Sequence, residues 1–112
     1  MIETTVREEH HPADSAAAER LWDALHLARA GKSRRQVVEL EDAAFRLYLP
    51  MTRTIAHAVT GQNAGMDRVA AASAEEAAEL GLARAVLAWR DRTGAGFRRY
   101  ARSVILQELL KR

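Results

Sequence analysis

The chain has no cysteine in its 112 residues, which excludes disulfides and thiolate metal sites and removes any need for an oxidising compartment. It also lacks an apolar run near the roughly 20 residues a membrane span needs, and its N-terminus has no basic segment followed by an apolar one. A cytoplasmic protein without a membrane partner is the expectation. Strand patterns and internal repeats are absent as well, so no sheet is expected. Nor is there a nucleophile with its base, a phosphate-cradling loop or a pair of metal ligands at helical spacing. These absences argue against an enzyme, and no cofactor or metal is expected.

What is present fits one small domain. At this length about two-thirds of the unfolded surface is buried on folding. Apolar residues make up 48% of the chain, and many are alanines, which bring helices close together while burying little area each. The formal net charge is only +2, from 17 basic and 15 acidic residues, too small by itself to announce a nucleic-acid partner. The charge is unevenly placed, however. "IETTVREEHH" near the N-terminus is acidic, while Arg90, Arg92, Arg98, Arg99 and Arg102 face a single Asp91 near the C-terminus.

Periodicity predicts a small all-α bundle of four or so helices. Residues 1–13 show no sustained pattern and read as a mobile N-terminal tail, leaving 14–112 as a single helical domain. A first helix is expected from Asp14 or Ser15 to Gly31, with Leu21, Trp22, Leu25 and Ala28 on one face and Gly31 as its C-terminal cap. Ser33 and Gln36 form a capping box for a long second helix, over 34–60, whose face is Val37, Leu40, Ala44, Leu47, Met51, Ile55 and Ala58. Pro50 interrupts it as a kink or a restart, and Gly61 ends it. "GQNAGMD" is a loop. A third helix begins between Asp67 and Ser73, where Ser73 and Glu76 make a second capping box, and runs to about Trp89. Ala78, Leu82, Ala85 and Trp89 form its stripe, widened by Leu80 and Leu87. After "RTGAG", a fourth helix over 97–111 turns Phe97, Ala101, Val104 and Ile105 inward and its arginines outward.

Some candidate sites carry little chemistry. Glu8, Glu9, His10 and His11 adjoin one another in the tail and lack a scaffold to converge them on an ion. His26 and His57 stand alone on their helices. Glu75, Glu76 and Glu79 lie where a helix N-terminus would favour acids in any case.

The stretch "WRDRTGAGFRRYA", residues 89–101, is more pointed: four arginines and three aromatics surround a Gly-Ala-Gly turn. Arg98 and Arg102 lie one helical turn apart with Arg99 beside them, an arrangement suited to phosphate. Trp89, Phe97 and Tyr100 are of the kind that stack on unpaired bases. The competing reading makes Trp89 and Phe97 core residues and the arginines a solvated face.

From Leu80 onward, "LGLARAVLAWRDRTGAGFRRYARSVILQELLKR" resembles, without a gap, the second conserved region of bacterial RNA polymerase sigma factors. "LGLARAV" is similar to the helix that family members dock on the polymerase clamp. Trp89 sits where they carry an aromatic, Gly94 marks the turn, and Phe97, Tyr100 and Ala101 follow at the family spacing. Upstream, "LYLPMTRTIAHAV" resembles the preceding helix with its proline. The likeness covers about residues 40–112 and is looser between Thr60 and Ala78.

The resemblance implies an all-helical domain, like sigma region 2, that binds RNA polymerase core and captures bases of the promoter's single-stranded non-template strand. Arg98, Arg99, Tyr100 and Arg102 would meet DNA, and Glu75, Glu76, Glu79, Leu80 and Arg84 would meet the polymerase. The sequence departs from the family at three points. Ser103 and Val104 stand where many members have two wedging tryptophans. "SAEEA" replaces the usual aspartate, glutamine and glutamate at the start of the docking helix. The stretch ends at Arg112 without a helix-turn-helix domain. The expected function is therefore a sigma factor-like protein that relies on a second protein, carrying a helix-turn-helix domain, to read the promoter. Alternatively, it is a sigma-like regulator that leaves DNA alone and competes for polymerase or sequesters a sigma regulator, with a sigma antagonist as one candidate partner. A third reading is a helical oligomer whose likeness is ancestral only.

Overall fold

The structure is a computed structural model that describes residues 16–61 and 68–111. These form four helices: α1 (Ala16–Ala30), α2 (Arg34–Thr60), α3 (Arg68–Ala88) and α4 (Phe97–Leu110). There is no strand among the described residues, and the fold is all-α. The expected tail over 1–13, the expected helix start at Asp14 or Ser15, and most of the "GQNAGMD" loop lie outside the described residues.

Local chemistry accounts for most helix ends. Ser33 Oγ accepts a hydrogen bond from the Gln36 backbone N–H at 3.3 Å, so the expected cap starts α2. Gly31 follows α1, and its N–H donates to the Ala28 carbonyl at 3.0 Å, a tightened last turn without the left-handed backbone of a glycine cap. Gly61 follows α2 with its N–H bonded to the His57 carbonyl at 2.6 Å. A β-carbon there would stand 2.7 Å from the same oxygen.

Two expectations at helix boundaries are narrowed. Of the kink or restart expected at Pro50, the restart does not occur: α2 continues through it, and because Pro50 is exposed the carbonyl left without its proline donor can turn to water. α3 is already helical at Arg68, which puts Ser73 and Glu76 inside the helix, where they form no capping box. Glu75, Glu76 and Glu79 accordingly lie beyond the first turn, to which the helix-dipole effect is largely confined.

The chain packs as two compact units. The first comprises residues 16–47 together with Arg90–Gly94. In α1 the apolar face is Ala18, Trp22, Leu25 and Ala28, all buried, with Leu21 half-buried. Arg29 of α1 forms an ion pair with Glu41 of α2 at 3.0 Å, and both side chains are largely shielded, at 16% and 19% exposed. The Arg90–Gly94 segment meets α1 at two places. Arg92 pairs with Asp23 at 3.1 Å, and Gly94 lies on the Trp22 indole so closely that a β-carbon would stand 2.7 Å from Nε1. Gly94 is therefore needed for contact with a ring, not for a turn.

The second unit comprises residues 48–61, 68–89 and 95–111. Here α3 packs along α4. Ala74, Ala78, Gly81, Leu82, Ala85 and Val86 are the buried residues of α3; Phe97, Ala101, Ile105, Glu108 and Leu109 are those of α4. Val104, expected inward, is half-buried. On α2 the face turns: Tyr48, Met51, Thr52, Ile55 and Ala56 are buried, and Ala58 is exposed. Thr52 can sit inside because its hydroxyl donates to the Leu49 carbonyl at 2.7 Å, leaving no unsatisfied polar atom. Leu80 and Leu87 do not extend the packed side of α3. They are 46% and 52% exposed, because helical geometry turns them roughly opposite Ala78, Leu82 and Ala85.

Candidate functional site

The start of α4 is set by Gly96, whose φ of 85° and ψ of −8° lie in the left-handed region, where a β-carbon is costly. The carbonyl of Gly96 accepts the Tyr100 N–H at 3.0 Å, so this glycine fixes the direction in which residues 97–102 project. Around it runs a chain of aromatic rings. Tyr48 meets Phe97 with centroids 4.7 Å apart, Phe97 meets the edge of Trp89 at 5.5 Å, and Trp89 meets Tyr100 at 5.4 Å. The series runs outward, from buried Tyr48 and Phe97 through half-buried Trp89 to Tyr100, which is 36% exposed. Phe97 thus belongs to the core and offers no face to a ligand.

The arginines separate similarly. Arg98 is half-buried, while Arg99 and Arg102 are exposed. The exposed pair one turn apart is therefore Arg99 with Arg102, an i, i+3 spacing, and not Arg98 with Arg102. Arg90 and Arg92, close in sequence, belong to the first unit. Arg90 there lines a cleft of about 290 Å³ with Trp22, His26, Arg29, Ala30 and Asp91. The arginine-rich stretch is thus divided between the two units. What remains at the start of α4 is Arg99 and Arg102 beside Tyr100, whose ring leans on Trp89.

The second expected surface lies on α3. Glu75, Glu76 and Leu80 are exposed and Glu79 is half-buried. Arg84 is exposed but engaged: it bonds Glu108 of α4 at 2.8 Å, and Lys111 reaches the same carboxylate oxygen at 3.3 Å. Two cations flanking one largely buried carboxylate make this a tie between helices, so Arg84 contributes to holding α3 on α4 as well as to the surface. Within "LGLARAV", Gly81, Leu82, Ala85 and Val86 are buried, leaving Leu80 and Arg84 as its exposed members.

His26 and His57 are exposed. Glu8, Glu9, His10 and His11 lie outside the described residues. No group of three or more potential metal ligands comes together among the described residues, and none of their helices is long and apolar enough to cross a membrane. The aromatic chain from Tyr48 to Tyr100 was not legible as a unit beforehand; the signal available was the placement of Trp89, Phe97 and Tyr100 around a glycine-rich turn. No family model, curated protein or solved structure matches the chain.

Proposed function

We propose that the chain is a sigma factor-like transcription protein. In this reading the α3 surface of Glu75, Glu76, Glu79 and Leu80 contacts RNA polymerase core, and the start of α4 contacts single-stranded promoter DNA. The observation that supports it best is that one compact unit carries both surfaces. One is acidic and apolar; the other is arginine-rich with an aromatic ring at its edge. Exposed guanidinium groups one turn apart suit phosphate, and a half-exposed tyrosine beside them suits an unpaired base.

A second reading has its own support. Ser103 is exposed and Val104 half-buried, so no large side chain stands where a wedge would part the duplex. That favours a regulator which occupies polymerase, or sequesters a sigma regulator, without opening DNA. Pull-down of core polymerase with the purified protein tests what the two readings share. Capture by the wild type, lost on Glu76→Lys with Glu79→Lys, is expected; no capture by the wild type overturns the polymerase reading. Capture unaffected by the double variant moves the docking surface away from α3.

A further inference from the structure

Opposite the packed side of α3, Val69, Glu76, Leu80 and Leu87 recur at spacings of seven, four and seven residues, which brings them into one line along the helix. Val69 is 78% exposed, Leu80 46% and Leu87 52%. Half-buried Glu79 lies to one side of the line and exposed Arg84 to the other, but Arg84 is held by Glu108 of α4 at 2.8 Å, so the charge left to a partner is acidic. α3 is thus apolar on two opposite sides, a pattern that usually belongs to a helix covered on both. The outward line of α4 is built from the same parts with the charge reversed. Arg99 and Arg102 are exposed at its start, Leu106 is half-buried and Leu110 is 83% exposed at its end.

We propose that the acidic, apolar face of α3 in one copy binds the basic, apolar face of α4 in a second copy, so that the protein associates reversibly with itself and covers both surfaces. Charge decides the pairing. Two α3 faces brought together would set Glu76 and Glu79 against acids, and two α4 faces would set Arg99 and Arg102 against bases; both arrangements are repulsive. The unlike pairing joins carboxylate to guanidinium while placing leucine against leucine, and it leaves Arg84, exposed beside Leu80, on its Glu108 partner at 2.8 Å. An α3–α3 pairing could offer Glu76 a cation only by drawing Arg84 away from that carboxylate. The contact is heterologous, so it grows with concentration and need not stop at two copies. Its charges are exposed, which makes it weak and sensitive to salt. Neither polymerase nor DNA takes part, so the proposal stands or falls apart from the transcriptional reading. Where both hold, self-association keeps the two working surfaces covered until a tighter ligand competes for them.

Sedimentation equilibrium of the full chain over a concentration series tests this. At low salt the apparent mass is expected to rise to at least twice that of the 12.4 kDa monomer. It should fall back near 1 M salt, where the Debye length is about 3 Å. Glu76→Lys with Glu79→Lys, and separately Arg99→Glu with Arg102→Glu, should each give a monomer, and mixing the two variants in equal amounts should restore association. Circular dichroism checks that each variant keeps its helices. If either reversal unfolds the chain, Glu76→Gln with Glu79→Gln and Arg99→Gln with Arg102→Gln replace them, each expected to weaken association at least several-fold. A wild type that stays monomeric throughout overturns the proposal. So does association indifferent to both sets of changes, or a mixture of reversed variants that remains monomeric.

Discussion

Gly81 of α3 lies directly on Ile105 of α4: a β-carbon at position 81 would stand 2.7 Å from the Ile105 Cα and 3.1 Å from its backbone nitrogen. The obstacle is backbone, which cannot swing aside as a flexible side-chain tip can. Alanine is the better helix former by about 1 kcal/mol, yet overpacking of this kind costs roughly 1 to 3 kcal/mol. Gly81→Ala is therefore expected to lower stability by up to about 2 kcal/mol in urea unfolding. A stabilised variant would mean that α3 and α4 are not held so close.

Glu108 ties the same two helices. Its side chain is only 9% exposed, between Arg84 at 2.8 Å and Lys111 at 3.3 Å. Because both cations are more than half exposed, water screens the attraction, and the pairwise worth of Arg84 with Glu108 should be about 1 kcal/mol or less. A double-mutant cycle of Arg84→Ala and Glu108→Gln reads that coupling. Zero coupling would show Arg84 to be a surface charge only, available in full to a partner.

The helices were legible because their periodicity and punctuation agreed. Ser33 with Gln36, Gly31 and Gly61 bracket α1 and α2 where expected, and Phe97 opens α4. Three features escaped. Thr52 reads as polar until its hydroxyl is seen satisfied by the carbonyl of Leu49, three residues earlier in its own helix, and this shifts the buried face of α2 from Ala58 towards Tyr48 and Ala56. Ser73 with Glu76 imitates a helix start, but a capping pair halts a helix only where the preceding residues refuse it, and "RVAAA" is rich in a strong helix former. The arginine stretch reads as one cluster, whereas folding assigns Arg90 and Arg92 to one unit and Arg98, Arg99 and Arg102 to the other. Sequence proximity cannot convey that division. The pairing of Arg92 with Asp23 spans much of the chain.

Pro50 offers a test in the stabilising direction. It lies inside a continuous helix and is exposed, so its replacement forfeits little packing. Alanine restores a backbone donor and removes a helix penalty of about 3 kcal/mol measured in unconstrained hosts, part of which the native backbone has already relieved. The stiffer unfolded chain that proline provides offsets about 0.4 to 1 kcal/mol. Pro50→Ala is expected to gain roughly 1 to 2 kcal/mol, read as a higher urea midpoint. A loss of stability would show that the proline sets a bend on which packing depends.

The start of α4 gives the sharpest prediction for nucleic acid. Arg99 and Arg102 can neutralise about two phosphates, and each contributes roughly 0.7 to the salt slope on a single strand, so the logarithm of affinity should fall against that of salt with a slope near −1.4. Such binding is weak at moderate salt. Changing both arginines to alanine should flatten the slope towards zero. Tyr100 acts differently, because stacking is not a charge effect. Its ring leans on Trp89, with centroids 5.4 Å apart, and the residue is 36% exposed, so it can offer surface to a base. Tyr100→Ala should lower affinity by roughly 1 to 3 kcal/mol, about five- to 150-fold, and leave the slope unchanged. Duplex promoter DNA should remain closed with this protein alone, since Ser103 and Val104 offer no wedge, and permanganate reactivity of promoter thymines reads that directly. Equal affinities and equal slopes for the wild type and the arginine variant would assign Arg99 and Arg102 to ordinary surface solvation. Unaided opening would mean that Tyr100, backed by Trp89, does the work of a larger wedge.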